Sequence, residues 1–243
     1  MMEKIFGNHS VRAVFMTRPY AIRRVILLEG KKSYLNKEYI DLAHSNRIEP
    51  EVLPWDKFLR ASDLTAEDNH QGVCIFADPR EIYDENDLRM LADGRCVFAL
   101  DQITNPQNLG VILRNAAFFG VDGVILMKNR SIDMTPTVTR VAVGAAEFVK
   151  IFRVINLART LDSLKKFGYW VYGLDERGEK TLAETNFDGK TVFVVGAEGE
   201  GLRLRTKKFC DMLVRIPGGR SGLGSLNAGV ATAVAMAEFF RNK

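Results

Sequence analysis

Apolar positions along the chain follow two spacings that take turns. From Cys96 onward the alternation is regular. Cys96–Leu100, Gly123–Met127, Phe148–Val154, Tyr169–Leu174, Thr191–Val195 and Met212–Ile216 are short, mostly apolar runs. Such runs predict strands buried on both faces of a largely parallel sheet. Between them, apolar residues recur every three or four positions, which predicts helices over Pro106–Phe119, Pro136–Ala146, Leu157–Phe167 and Leu226–Arg241. Asn105 ahead of Pro106 reads as a helix N-cap, and Gly120 as the stop. Six strands alternating with helices predict an α/β fold.

The first 77 residues show the same two spacings in shorter pieces. Helices are expected around Val11–Phe15, over Leu35–Ala43 and over Trp55–Ala61. Strands are expected at Val25–Leu28, Glu51–Leu53 and Gly72–Ala77, so this part reads as a small α/β sandwich. Residues 78–93 carry six acids and two arginines, with little apolar periodicity before Leu88. The expected division is therefore a domain at 1–77, an exposed acidic linker at 78–93 and a larger domain at 94–243.

Charge adds one feature. Residues 1–60 hold 11 Lys/Arg against 7 Asp/Glu, while the rest of the chain holds 23 of each. A modest basic excess at the front can serve a polyanion. Arg18, Arg23, Arg24, Lys31 and Lys32 flank one strand there and are the candidate polyanion contacts, which the resemblance described below makes candidate RNA contacts. The plain alternative is an ordinary soluble domain. The cysteines, Cys74, Cys96 and Cys210, are odd in number and form no C-x-x-C, which predicts free thiols in a reducing cytoplasm. No apolar run reaches membrane-spanning length, and the first residues show no signal-peptide core, so a cytoplasmic protein away from membranes is expected.

Two strands of the larger domain run into glycine-rich loops. The first holds Gly196, Glu198, Gly199 and Gly201; the second holds Gly218, Gly219, Gly222 and Gly224, then Ser225 and Asn227. Glycine after a strand permits positive φ and lets a ligand approach the backbone. Neither loop meets the known phosphate fingerprints. Ser225 follows Gly219–Gly224 where a Walker A loop needs lysine, and Asn227 stands where a dinucleotide motif needs its third glycine. Two plain strand–helix turns would explain one such loop better than both.

The histidines, His9, His44 and His70, all precede residue 71, so the larger domain has no histidine for a nucleophile's base or for a metal. No acidic cluster supports a metal either. His70 reads as a strand cap. Asn108 and Arg114 in the Pro106–Phe119 helix, Glu198, Ser225 and Asn227 are the polar residues that stand out at strand ends and helix starts. Singly, each has a bland reading: capping for Asn108, Ser225 and Asn227, a turn for Glu198, a solvated face for Arg114. Gly110, one turn before Arg114, is expected to leave that stretch of the helix open.

Three ordered stretches carry a resemblance. Asn108-Leu-Gly-x-x-x-Arg114-Asn-Ala, Val195-Gly-Ala-Glu198-Gly-Glu-Gly-Leu and Ile216-Pro…Ser225-Leu-Asn227 resemble the motifs of the SpoU (TrmH) RNA ribose 2′-O-methyltransferases. Ile5-Phe-Gly-Asn-His9-Ser-Val, His70-Gln-Gly72 and Gly144-Ala-Ala-Glu147 extend the resemblance over the whole chain, closest to the branch acting on a guanosine of large-subunit ribosomal RNA. The resemblance implies a SPOUT-type α/β methyltransferase domain with a trefoil knot, preceded by an L30e-like RNA-binding domain, in a homodimer that uses S-adenosylmethionine and no metal. It implies cofactor contacts at Gly196, Glu198, Gly199, Gly201, Ile216, Leu226 and Asn227. Arg114 is implied as the catalytic residue, with Asn108, Glu198, Ser225 and Asn227 in support. Gly218 stands where the family commonly has methionine. Transfer RNA as substrate, and a non-catalytic ribosome-assembly factor of the same fold, remain the alternatives. A nucleotide-dependent oxidoreductase fits less well, because the fingerprints fail.

Overall fold

The computed structural model describes residues 2–30, 33–197, 199–218 and 226–241. The chain forms two compact units, Met1–Arg80 and Glu81–Lys243. In the first, β1 (Glu3–Phe6), α1 (Asn8–Thr17), β2 (Ile22–Leu28), α2 (Ser33–Ser45), β3 (Glu51–Leu53), α3 (Trp55–Ser62) and β4 (Val73–Ala77) follow in order. The sheet runs β1-β4-β2-β3, with β4 antiparallel to β1 and β2, and β3 parallel to β2. Val11, Val25, Leu27 and Ile75 pack on one face; Ile26, Leu28, Phe58 and Cys74 pack on the other. The sequence pattern missed β1. Its four residues are too few to show a period, and only pairing with distant β4 (Ile5↔Ile75) makes them a strand.

The second unit holds β5 (Cys96–Asp101), α4 (Pro106–Phe119), β6 (Gly123–Met127), α5 (Pro136–Ala142), β7 (Lys150–Val154), α6 (Leu157–Lys166), β8 (Tyr169–Leu174), β9 (Lys180–Thr181), β10 (Lys190–Gly196), α7 (Leu204–Lys207), β11 (Met212–Arg215) and α8 (Ala228–Arg241). Its sheet runs β7-β6-β5-β10-β8-β11-β9, and every pairing is parallel. Leu109, Ile112, Phe193, Met236 and Phe239 fill the layer under α4 and α8. Val97, Ile125, Leu161, Leu164 and Val194 fill the layer under α6. The expected parallel sheet, covered on both faces, is what forms. β10 comes late in sequence yet lies in the middle of the sheet, between β5 and β8, so the glycine loop after it opens at the centre of the sheet's carboxyl edge.

Three expectations change. The helix from Pro136 stops at Ala142, because Val143 and Gly144 take φ of 51° and 78° and lead into a 3₁₀ turn over Ala145–Phe148. Much of the stretch read as an exposed linker is part of the second unit. The Tyr83 N–H donates to Ile151 O at 2.9 Å, Arg153 N–H donates to Tyr83 O at 2.8 Å, and Leu88 and Leu91 are buried. Six acids around these apolar anchors hid them in the sequence. The last helix begins at Ala228 rather than Leu226. The threading that a trefoil knot requires falls on the loop before it, of which 219–225 lie outside the described residues.

Candidate active site at the carboxyl edge of the parallel sheet

The site is built where α4 and α8 start. Asn105 caps α4, its Oδ1 accepting from Gln107 N–H at 2.8 Å, with Pro106 as the first helical residue. Asn227 caps α8 in the same way, accepting from Gly229 N–H at 2.9 Å and Val230 N–H at 3.3 Å. Its Nδ2 donates to Oδ1 of buried Asn108 at 2.8 Å, which ties the two helix starts together. Gly229 makes the close approach feasible. A Cβ there would stand 3.0 Å from Val111 Cγ1, and Asn115 Nδ2 donates to Gly229 O at 3.4 Å. Two of the five candidates, Asn108 and Asn227, are thus in direct contact.

The first glycine loop leaves β10 and folds back at once. Gly201 N–H donates to Ala197 O at 2.9 Å, and Gly199 and Gly201 have φ of 80° and 66°. A side chain at Gly196 would stand 2.1 Å from Gly201 C, so only glycine lets the two backbones meet. Gly218, past β11, has open space where a Cβ would be. Ile216 packs partly into the core, and Leu226 is exposed. Loops that offer main chain rather than side chains fit a ligand held by backbone groups, as the family's cofactor would be. Glu198 and Ser225 lie outside the described residues.

Sequence reasoning missed the ionic support of this edge. Asp101 ends β5 directly beside Gly196 in the parallel register, and its side chain is fully buried. Arg203, two residues past Gly201, donates to it through Nε at 2.8 Å and holds it through Nη2 at 2.6 Å. Lys207 on α7 pairs with Asp175, just past β8, at 2.5 Å. Burial raises the Asp175 carboxyl, but the Lys207 ammonium and the Arg177 N–H outweigh it and hold the group below its ordinary range. A charged residue ending a wholly apolar strand was the signal available for Asp101.

Arg114 sits six residues beyond Asn108, about 9 Å along the helix axis. It is exposed and pairs with none of the described residues. The openness does not come from Gly110, which is buried against α5, where a Cβ would stand 2.5 Å from Val141 Cβ. That glycine serves helix packing instead. Burial pushes the Cys74 and Cys210 thiols up to about 12, so neither is a thiolate nucleophile. Among the described residues no group of three or more His, Cys, Asp or Glu could hold a metal ion, and no helix is long and apolar enough to cross a membrane.

Three of the candidate RNA contacts of the first unit also have partners within their own unit. Arg18 is buried and donates to Glu3 at 2.9 Å and to Asp78 O. Arg23 pairs with Asp78. Arg24 forks onto Glu51 at 2.5 and 2.8 Å and holds that carboxyl below its usual range. These arginines join elements of their own fold, and Arg18 in particular has no free face to offer a phosphate. Lys31 and Lys32 lie outside the described residues. His70 is buried between the Trp55 and Phe58 rings, its Nδ1 accepting from Gly72 N–H at 2.9 Å, as the strand-cap reading expected.

Comparison with known proteins agrees with this layout. The profile of the SpoU rRNA Methylase family matches residues 95–237, and that of the RNA 2′-O ribose methyltransferase substrate binding domain matches residues 4–83. The chain is 39% identical to the 23S rRNA (guanosine-2′-O-)-methyltransferase RlmB of Pseudomonas aeruginosa, over 99% of this chain and 97% of that protein. It is 35% identical to RlmB of Escherichia coli K12, over the full length of both. The fold matches the SpoU methyltransferase AviRb from Streptomyces viridochromogenes, solved with AdoMet, at a TM-score of 0.79 and 20% identity over 99% of this chain and 90% of that one. A structure concerned with 2-OH methylation of C/U34 on tRNA matches at a TM-score of 0.54 and 27% identity, over 61% of this chain and 95% of that one. With one family profile spanning most of the second unit and relatives above 30% identity end to end, the chain belongs to the SpoU rRNA methylase family.

Proposed function

We propose that this protein transfers a methyl group from S-adenosylmethionine to the ribose 2′-oxygen of a guanosine in large-subunit ribosomal RNA. The observation that carries the reading is full-length identity of 35–39% to proteins named for that reaction, covering both units. The relative concerned with transfer RNA matches only 61% of the chain, which favours ribosomal RNA.

S-adenosylmethionine supplies a methyl already activated on a sulfonium, so the protein needs no covalent intermediate. Its own residues bind, orient and manage one proton. Main chain at Gly196–Gly201, Ile216 and Leu226 holds the cofactor, while the Asn108–Asn227 contact fixes the start of α8 beside the second loop. A guanidinium is ordinarily a cation, so Arg114 is assigned a positioning role rather than that of a base. Its guanidinium would hold an RNA phosphate beside the 2′-hydroxyl, so that a phosphate oxygen accepts the hydroxyl proton while the methyl passes from sulfur to oxygen and S-adenosylhomocysteine leaves. The family resemblance gives Glu198 and Ser225 supporting roles.

The working form is a homodimer. Val111 and Phe118 are exposed on the same side of α4 as Arg114, and Val230 and Val234 are exposed on neighbouring α8. Burying this apolar stripe against a second copy places Arg114 at the interface, where each site is completed by its partner. The test of the function is to map ribose methylation in ribosomal RNA from cells with and without the protein. Loss of one guanosine 2′-O-methyl group in large-subunit RNA is the expected result. An unchanged ribosomal map with a lost transfer-RNA methyl would move the substrate, and no change in either would remove the enzyme reading.

A further inference from the structure

We infer that the Asp101–Arg203 pair is a positioning device that sets the glycine turn for cofactor binding without touching the cofactor. This rests on the reading that the turn holds S-adenosylmethionine. The two residues bracket the turn from opposite sides. Asp101 lies across from Gly196, where the turn begins, and Arg203 stands two residues after Gly201, where it ends. The side chain of Asp101 is wholly buried, and both its oxygens face Arg203. Oδ1 takes Nε at 2.8 Å and Nη2 at 2.6 Å, and Oδ2 accepts the Arg203 backbone N–H at 3.3 Å. The same guanidinium reaches Met127 Sδ at 3.2 Å, at the end of β6.

The carboxylate therefore holds the backbone and the side chain of one residue at once. That fixes where residue 203 leaves the turn as well as that it stays nearby. Leu202, buried between them, anchors the same point, lying 2.8 Å from where a Cβ on Gly173 of β8 would be. The turn leaves β10 at Gly196, and its exit at Leu202 and Arg203 is held against β8 and β5. A ligand gripped by main chain has no side chain to reorient for it, so its affinity depends on the turn being held in place beforehand.

The alternative is a pair that merely holds the unit together. The two roles differ in what they move. If the pair only supports the fold, Asp101→Asn lowers the melting temperature, and S-adenosylmethionine affinity measured well below that temperature stays the same. If it positions the turn, affinity falls in protein that is still folded. The experiment is titration calorimetry of S-adenosylmethionine into full-length wild type, Asp101→Asn, Arg203→Lys and the double variant, with melting temperature and methylation kinetics on the same samples. The expected result is about a tenfold weaker cofactor Kd for Asp101→Asn, about 1.4 kcal/mol. KM for S-adenosylmethionine should rise in parallel, with kcat at saturating cofactor within about threefold of wild type.

Arg203→Lys keeps the charge, the fold and the backbone bond but loses the fork, so it should weaken binding less than Asp101→Asn. The double variant should be no worse than Asp101→Asn, because the two residues act as one unit. Wild-type-like Kd in folded Asp101→Asn, or additive losses in the double variant, would overturn the inference. Should Asp101→Asn fail to fold, Arg203→Lys decides alone: an unchanged Kd rejects positioning. Failure of wild type itself to bind S-adenosylmethionine would instead sink the reading of the turn.

Discussion

Both units tie arginines to carboxylates of their own fold, and the second also leaves Arg114 exposed on α4. In the first unit Arg18, Arg23 and Arg24 pair with Glu3, Asp78 and Glu51, Arg18 buried and the other two at the surface. In the second unit Arg203 pairs likewise with Asp101, while Arg114 faces none of the described carboxylates. The basic excess lies in the first unit, yet Arg114, exposed on the helix that carries Asn108, lies in the second. A count of charges locates a net field. Contact with a phosphate needs a cation whose hydrogen-bond donors are still free.

The largest test of this contrast is Arg114→Ala. Single-turnover methylation should fall about 100-fold or more, the scale seen when one transition-state donor is lost. S-adenosylmethionine Kd should stay at its wild-type value, because the cofactor is assigned to the two glycine loops and not to α4. Lysine should rescue only part of the rate, since an ammonium lacks the planar fork. A well-folded Arg114→Ala with near-normal turnover would leave the non-catalytic reading standing.

Next comes Arg18→Ala, which should do the reverse. It strands Glu3 and the Asp78 carbonyl, and should cost about 2–3 kcal/mol of stability by denaturant titration. Cofactor affinity should not change. Gly110→Ala probes how the second unit holds α4, through packing where the first unit uses charge. The new methyl would meet both Val141 and the Val138 carbonyl, so a loss of about 1–2 kcal/mol is expected, read as a lower melting temperature.

Acid gives the smallest effect. Arg24 holds Glu51 below its usual range, so the folded-state pKa lies below the unfolded one. The stabilisation is therefore present above the unfolded value of about 4.3 and drains away as pH falls through the folded one. Both side chains are about two-fifths exposed, so the contribution is about 0.5 kcal/mol or less. The stability gap between wild type and Arg24→Gln should close as the pH is taken below that unfolded value.

These particulars mark how far the sequence could be read. The second unit was legible because its strands are apolar throughout and its helices carry their own stops, as at Asn105 and Gly120. Asn108 and Asn227 were legible as polar residues at helix starts, but not as partners, since 119 positions separate them. The carboxylate partners of Arg18, Arg23 and Arg24 were not legible for a related reason. Glu3, Asp78 and Glu51 reach them through strand pairing, and β1, which carries Glu3, is too short to announce itself. Asp101 and Arg203, 102 positions apart, were invisible as a pair on the same grounds.

The central claim is that Arg114, and not the carboxylate-paired Arg18, Arg23 and Arg24 of the basic stretch, meets the RNA. The direct measurement is binding of a ribosomal-RNA fragment that wild type methylates, over a salt series, by wild type, Arg114→Ala and Arg23→Ala. The account predicts that Arg114→Ala loses about tenfold in affinity and that its salt slope becomes shallower by about one, while Arg23→Ala matches wild type in both. A wild-type affinity and slope for Arg114→Ala, with both reduced for Arg23→Ala, would contradict it.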